Sequence, residues 1–234
     1  MKLKIFCFDC ADKNNEDISM DVFITDSLIY EIECPRGHKN QILIGNLMSV
    51  IIFEAGLLAL SKGFLRESIS DFYAALENFY SEAIYVLSKK LSDRINDSMY
   101  EQNLKKHLKL SERKLGAYNV LYFLFLNEQP EKFSDDLISL RNSVVHATHY
   151  PTCEETLKMA EAVYKYISCC TRQIMQIKEH DVAMSFFGLY HNEKLRKKVK
   201  ENYIMHLGSS YYLLFSGTDR ISIKDYLPHV SLRG

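Results

Sequence analysis

The stretch that decides the fold of this chain is ISDFYAALENFYSEAIYV, residues 69–86. Its apolar side chains recur at steps of three and four residues, at Ile69, Phe72, Leu76, Phe79, Ala83 and Val86. That period puts them on one face of an α-helix, which we expect to extend over residues 65–90. A helix with one apolar face is stable in water only when other elements cover that face, so the stretch predicts a helical bundle.

Further helical segments precede and follow this stretch. Residues 46–62 have a helical pattern that ends at Gly63, and residues 114–126 form another apolar segment. The polar residues 93–108 between them are either a loop or a weak helix. With only four Pro and nine Gly in 234 residues, the chain has little room for a turn-rich sheet fold. We therefore expect a mainly α-helical protein.

Two helix starts are visible in the second half of the chain. Ser134 is suited to cap a helix that ends before Pro151, because the residue before a proline avoids the helical region. Thr152 and Glu155 then have the spacing of a capping box, which predicts a second helix that continues to about Glu179.

The first 45 residues have the composition of a small β unit. Residues 21–25 and 28–32 are rich in β-branched and aromatic side chains, and Asp26-Ser27 between them suits a tight hairpin turn. Residues 39–44 can add a third strand. The expected order is therefore a β unit at 1–45, a helical domain at 46–182, and a C-terminal basic helix and tail at 183–234.

The β unit carries two half-sites for a metal ion, Cys7-x-x-Cys10 and Cys34-Pro-Arg-Gly-His38. A structural zinc takes four ligands, commonly two from each of two tight turns, so the spacing predicts a zinc ribbon. The alternative is two unrelated pairs of thiol or polar residues. Four protein ligands leave no open position for a substrate, so we expect a structural zinc rather than a zinc-dependent hydrolase.

Chemistry is indicated by Arg141-Asn142-Ser-Val-Val-His146, near the end of a predicted helix. A permanently charged guanidinium can stabilise phosphate charge, and an imidazole can take and return a proton near neutral pH. Asn142, His146 and His149 lie four and three residues apart, so they share a helix face. Either these residues form a catalytic site, or they belong to an ordinary solvated helix face.

Charge and hydropathy exclude other functional classes. The formal net charge is −1, which argues against binding nucleic acid through a broad basic surface. The densest basic patch is the best local candidate for RNA contact, and it comprises Lys194, Arg196, Lys197, Lys198 and Lys200. We identify no signal peptide and no segment apolar enough to span a bilayer, so we expect a cytoplasmic protein with reduced cysteines.

The Arg-Asn-x3-His string, late in a bundle after an aromatic-rich helix, resembles the motif of the HEPN superfamily over residues 46–180. Many members are metal-independent ribonucleases of toxin–antitoxin and antiviral systems. The resemblance implies that Arg141, Asn142 and His146 are catalytic, that no metal takes part in catalysis, and that two copies form a composite site in a homodimer. It also implies an antitoxin or defence-system partner protein. One subfamily carries a modified Tyr two residues after the His, where this chain has Thr148.

Three questions remain open from the sequence, and each has two possible answers. The chain is an endoribonuclease that cleaves RNA by attack of a 2′-OH, or it is a non-catalytic HEPN-like module that dimerises or binds a ligand or partner. Cys153 is either a nucleophile at a helix N-terminus or an ordinary first-turn residue, and we favour the latter. Glu77 either orients Arg141 across the bundle or is a surface carboxylate, and we again favour the latter.

Overall fold

The protein is mainly helical, with a small β region before the helical bundle. This computed structural model describes residues 2–14, 18–25, 27–45, 47–92, 102, 106–175, 199, 203–206 and 222–231. The helices are α1 (Phe8–Asn14), α2 (Met48–Ser61), α3 (Leu65–Ser92), α4 (Ser111–Leu126), α5 (Asp135–His146), α6 (Cys153–Met175) and α7 (Ile223–Ser231). The expected fold class, a helical bundle after a β unit, is confirmed.

Helix α3 lies at the centre of the bundle and contacts α2, α4, α5 and α6. The apolar stripe predicted from the sequence faces this core, and its members are 0–7% exposed: Ile69, Phe72, Leu76, Phe79, Ala83 and Val86. Helices α2 and α3 approach closely at Gly56, where an added Cβ would lie 2.8 Å from the Phe72 ring. The long amphipathic helix is therefore the scaffold on which the other helices pack.

The start of α2 is capped by a side chain from α3. Leu47 at the N-cap position forms no side-chain hydrogen bond. Instead, the carboxylate of Glu82 accepts the backbone N–H of Ser49 at 3.0 Å and also accepts the Ser49 hydroxyl. Burial raises the pKa of Glu82 to about 7, although hydrogen bonds from Ser49 and Met48 oppose the rise. A carboxylate across the helix interface thus binds N–H groups that α2 itself leaves without an acceptor.

The β region contains two sheets rather than the predicted hairpin. Strand β1 (Lys2–Phe6) pairs antiparallel with β2 (Ser19–Phe23), and β3 (Ile29–Glu33) pairs antiparallel with β4 (Lys39–Ile44). The third predicted strand is therefore confirmed, but β2 and β3, which the predicted hairpin would have joined, belong to different sheets. Leu28 has a φ of 52° and is 2% exposed, so the chain turns there to bury this side chain between the sheets.

The C-terminal part of the chain returns to both regions. Strand β5 (Tyr203–His206) extends the second sheet by pairing parallel with β4. Helix α7 contacts α2 and α6. We predicted from the sequence that the C-terminal basic helix covers residues 191–204, and this is wrong at its end, because Tyr203 and Ile204 are in β5. The basic patch of Lys194, Arg196, Lys197, Lys198 and Lys200 lies outside the described residues.

The β region packs directly on the bundle. Its core comprises Ile5, Val22, Leu28, Ile42 and Ile44, and Ile51 of α2 belongs to the same cluster. The domain boundaries at residues 45 and 182 remain predictions. The apolar contact of Ile51 with the β region crosses the boundary at residue 45. Within the described ranges, no helix has the length and apolar character needed to cross a membrane.

The two predicted caps had different outcomes. Thr152 and Glu155 form the capping box: Glu155 Oε2 accepts the Thr152 N–H at 2.7 Å, and Thr152 Oγ1 accepts the Glu155 N–H at 3.2 Å. Ser134 occupies the N-cap position of α5 but makes no side-chain cap hydrogen bond. Helix α5 also ends at His146, earlier than Pro151 requires, because Ala147 adopts an extended conformation.

Candidate metal centre and candidate active site

Four side chains converge where the two sheets meet. Cys7, Cys10, Cys34 and His38 place their ligand atoms within 4.8 Å of one another. The distance from Cys10 Sγ to Cys34 Sγ is 3.8 Å, and His38 Nδ1 lies 3.2–3.7 Å from the three sulfurs. Sulfurs about 2.3 Å from a tetrahedral zinc lie roughly 3.8 Å apart. The predicted cluster is therefore confirmed, and its geometry is compatible with zinc.

Two tight turns position these ligands. Cys7 follows β1, and its N–H donates to Ile18 O at 2.8 Å, while Cys10 is in the first turn of α1. On the other side, Gly37 N–H donates to Cys34 O at 2.7 Å. Gly37 has a φ of 82°, a left-handed conformation that glycine adopts without steric cost. The sequence therefore needs a glycine between Cys34 and His38 for the turn to close.

The electrostatics of the cluster suit a cation. The three cysteines are 0–3% exposed. Burial and the adjacent thiols raise the pKa of Cys10 to about 12. Burial also opposes ionisation of Cys34, but backbone hydrogen bonds at His38 and Arg36, together with the thiols of Cys7 and Cys10, outweigh it and lower the pKa of that thiol to about 7. A metal ion would compensate the charge of all three thiolates together. A buried four-ligand set offers no position for a substrate, which fits a structural site.

The second candidate site lies on α5, where Arg141 is held by three neighbours. Its Cζ lies 4.7 Å from the centre of the Tyr73 ring, an attractive cation–π position. Its Nη2 lies 3.9 Å from Glu77 Oε1 on α3. Its Nη1 donates to Asn142 Oδ1 at 3.0 Å. The guanidinium is thereby fixed in one direction, toward α3.

Glu77 is part of this arrangement, so the surface interpretation of this residue is wrong. Its side chain is 20% exposed, and besides contacting Arg141 it accepts a hydrogen bond from the Ser111 hydroxyl at the start of α4. Tyr73 and Glu77 are four residues apart on α3, on the same face. The four-residue spacing of an aromatic residue and a carboxylate on α3 was the sequence signal that could have identified Tyr73 and Glu77 as partners of Arg141.

His146 is exposed in the last turn of α5, four residues after Asn142, which is also exposed. Arg141 and His146 are five residues apart, so their side chains leave the helix about 140° from each other. His149 lies beyond the end of α5, and its Nε2 is 3.4 Å from Glu155 Oε1. The predicted three-residue polar face is therefore reduced to Asn142 and His146.

Arg66 fixes the end of α5 that carries His146. Its Nη2 donates to the carbonyl of Val144 at 2.6 Å, and its Nη1 donates to the carbonyl of His149 at 3.2 Å. Positive charge is favourable at a helix C-terminus, where carbonyl groups lack partners within the helix. The first turn of α3 thus helps to position the C-terminal end of α5, which carries the candidate catalytic imidazole of His146.

A groove of about 750 Å³ lies between α3, α4 and α5 beside Arg141 and Asn142. Aromatic side chains form much of its wall, namely Tyr73, Tyr80, Phe123, Phe133 and Tyr166. Its charged lining comprises four carboxylates, Glu77, Glu112, Glu131 and Asp135, and two cations, Lys132 and Arg141. The groove therefore has an excess of negative charge, which disfavours a phosphate deep inside it.

Two cysteines outside the cluster differ in exposure, since Cys170 is buried and Cys153 is exposed. Cys170 is buried, and burial raises the pKa of its thiol to about 12, so it behaves as a small core residue. Cys153 is exposed at the first residue of α6. Its interpretation as an ordinary first-turn residue remains a prediction.

Comparison of the chain with protein-family models, curated proteins and solved structures found no match.

Proposed function

We propose that this protein is a metal-independent endoribonuclease of the HEPN type. The observation that supports this most directly is the arrangement at Arg141. Its guanidinium is oriented by Tyr73 and Glu77, and Asn142 links it to a face on which His146 is exposed. An oriented cation and an accessible imidazole on the same helix are the two groups that supply charge stabilisation and proton transfer without a metal.

The reaction is attack of a ribose 2′-OH on the adjacent phosphorus. A bond forms between the 2′ oxygen and phosphorus, and the bond from phosphorus to the 5′ oxygen breaks, which leaves a 2′,3′-cyclic phosphate and a 5′-OH. His146 takes the proton from the 2′-OH or gives one to the departing 5′ oxygen. Arg141 stabilises the charge that develops on the phosphoryl oxygens, and Asn142 orients either group.

The zinc in this proposal is structural and is held by Cys7, Cys10, Cys34 and His38. The support is the burial of the three cysteines and the close approach of the four ligand atoms, which lie within 4.8 Å of one another. Zinc binding supplies folding free energy to the β region, whose own apolar cluster is small. Catalysis then needs no added metal.

The cellular setting follows from the family resemblance alone. We propose a cytoplasmic toxin or antiviral effector that acts on RNA as a homodimer with a composite site, with an antitoxin or defence-system protein as partner. RNA contact is assigned to Lys194, Arg196, Lys197, Lys198 and Lys200, which form the densest basic segment.

The deciding experiment incubates purified protein with total RNA in EDTA. We expect cleavage by the natural chain and a loss of roughly 10²–10⁴ in rate for His146→Ala. His149→Ala is the matched control, because that imidazole is beside Glu155 and outside α5. A requirement for added Mg²⁺, or equal cleavage by His146→Ala, would overturn the mechanism.

A second candidate function is a non-catalytic module that dimerises or binds a ligand or partner protein. Two observations favour it: Glu77 lies 3.9 Å from the Arg141 guanidinium, and the adjacent groove carries excess negative charge. A carboxylate so close to Arg141 competes with phosphate for it. The same RNA assay decides between the two, because this module leaves RNA intact.

A further inference from the structure

The groove between α3, α4 and α5 has the dimensions of a small-molecule site. Its volume is about 750 Å³, and ligand pockets in proteins typically measure about 300–1,000 Å³. Ser111 and Leu124 of α4 both line it, and the rise of an α-helix puts them about 20 Å apart along the helix axis. A groove of this length and volume suits an extended ligand better than a compact one.

Two of the four carboxylates in this groove are not compensated by a cation. The other two each have a cation within 3.9 Å, in the pairs Glu77–Arg141 and Asp135–Lys132. Glu112 and Glu131 are exposed and form no ion pair with any residue in the described part of the chain. The groove lining therefore has two negative charges in excess, and these are the charges that a bound cation can compensate.

The two uncompensated carboxylates act at different places along α4. Glu112 is in the first turn of this helix. Burial raises the pKa of Tyr73, and the charges of Glu77 and Glu112 add to that rise. Glu131 follows the other end of the helix, and its charge adds to burial in raising the pKa of Tyr122, which lies about 15 Å beyond Glu112 along the helix axis. A single compact cation is thus poorly placed to compensate both charges.

We propose that this groove binds a linear polyamine, which is an aliphatic chain with two or more ammonium groups. One ammonium group pairs with Glu112 and Glu77 at the start of α4, and another pairs with Glu131. The methylene groups between them lie against the aromatic wall, on which Phe123 is 49% exposed. Aromatic faces also attract ammonium groups directly, so the wall contributes to the binding of both parts of the ligand.

Other ligands fit the groove less well. A phosphate group is repelled by the excess of carboxylates. A magnesium ion is small and keeps several of its waters, so it gains little from the aromatic rings. A lysine-rich peptide has the right charge, but its backbone N–H and C=O groups require partners that a wall of aromatic rings does not supply.

A bound polyamine also affects Arg141. An ammonium group beside Glu77 competes with the guanidinium for that carboxylate, whose Oε1 lies 3.9 Å from Arg141 Nη2. The guanidinium is then held less strongly and contacts a phosphate outside the groove more readily. This consequence rests on the proposed RNA cleavage, whereas the binding itself does not.

Calorimetric titration of the full chain with spermine, at low ionic strength and without RNA, tests the proposal directly. We expect one spermine per chain, and binding of n-butylamine, which has a single ammonium group, that is weaker by at least about tenfold. Failure of the natural chain to bind spermine would overturn the proposal and leave the proposed RNA cleavage unaffected. Tighter binding of a tetralysine peptide than of spermine would assign the groove to a protein partner instead.

Variants without one carboxylate locate the ligand. Glu112→Gln and Glu131→Gln should each weaken spermine binding about fivefold, because each change removes one ion pair. Glu154→Gln is the matched control, because Glu154 is exposed in the first turn of α6, outside the groove, and its loss changes the net charge equally. All three side chains are exposed, so the variants should keep the natural melting temperature. Equal affinity of the three variants would show that spermine is attracted by general charge and would exclude this site.

Phe123→Leu separates the effect of the aromatic wall from that of charge. Leucine keeps the side chain apolar but has no ring, so the variant should bind spermine about threefold more weakly. Mg²⁺ at an equal concentration of charge should displace little spermine from the natural chain. Either unchanged binding by Phe123→Leu or full displacement by Mg²⁺ would reduce the groove to an acidic patch and overturn the polyamine assignment.

Discussion

Arg66 donates a 2.6 Å hydrogen bond to the carbonyl oxygen of Val144, so the first turn of α3 holds the last turn of α5. The two residues are 78 positions apart in the chain. A charged donor at a helix C-terminus stabilises both the carbonyl and the helix dipole. The position of His146, two residues after Val144, depends on this contact.

Replacement of Arg66 should therefore destabilise the bundle. We expect Arg66→Ala to lower the free energy of unfolding in urea by about 1.5–3 kcal/mol, because two hydrogen bonds from a charged group are lost. Lys158→Ala is a suitable control, since Lys158 is an exposed cation on α6. Equal effects of the two changes would show that the Arg66 contact is energetically neutral.

Glu82 should make stability depend on pH. Its folded pKa of about 7 lies above the ordinary 4.5, so between these values the folded chain binds more protons than the unfolded chain. The free energy of unfolding then falls as pH rises through this window, by about 3 kcal/mol. Glu82→Gln removes the titrating group and keeps an oxygen acceptor for Ser49.

The measurement is urea unfolding of both proteins at pH 4.5, 6 and 8. The two proteins differ only at residue 82, so the difference between the two pH profiles isolates Glu82. Parallel profiles would mean that the carboxyl group has the same pKa in the folded and unfolded states.

The Cys/His cluster should bind one zinc ion per chain. Cys34→Ser should lose the metal by elemental analysis, because the three remaining side chains cannot close a four-ligand site. Cys153→Ser, which changes an exposed cysteine outside the cluster, should retain it. Natural protein that is free of metal after purification without chelator would show that the cluster is not a zinc site.

Arg141 should tolerate lysine poorly. Arg141→Ala should reduce RNA cleavage by roughly 10²–10³, the usual cost of losing one charge-stabilising donor. Arg141→Lys should recover little of this loss, because an ammonium cannot make two parallel contacts with phosphate. A substrate with 2′-deoxyribose at the cut site should resist cleavage, since its nucleophile is missing. Full activity of Arg141→Lys would reduce the role of Arg141 to that of a simple charge.

The helices of the bundle from α2 to α6 were predictable because each has a local signal, whereas α1 and α7 were not predicted. The stripe from Ile69 to Val86 has a helical period, and the Thr152–Glu155 capping box depends on residues three apart. The pairing of strands was not predictable in the same way. Composition identified strands near Val22 and Tyr30, but the choice of partner depended on the buried turn at Leu28 and on β1, which gave no separate signal.

The metal cluster and the Arg141 site also differ in how far they could be predicted, because one depends on local spacing and the other on helix packing. Four metal ligands of fixed spacing in a short β unit determine their own geometry, so the cluster could be predicted from sequence alone. The partners of Arg141 could not, because Tyr73, Glu77 and Ser111 come from two other helices. Their contacts depend on how α3, α4 and α5 pack, which the sequence of α5 does not contain.

The parallel pairing of β4 with β5 has a consequence for biosynthesis. Residues 41–44 of β4 acquire their neighbour only when residues 203–206 have been translated. At roughly 5–20 residues per second, the roughly 160 residues between them take about 8–30 s. During that interval the nascent β region presents an open strand edge, a common starting point for aggregation. Ribosome stalling or truncation before β5 should therefore yield insoluble fragments, and chaperone demand should be highest while α3 to α6 are being made.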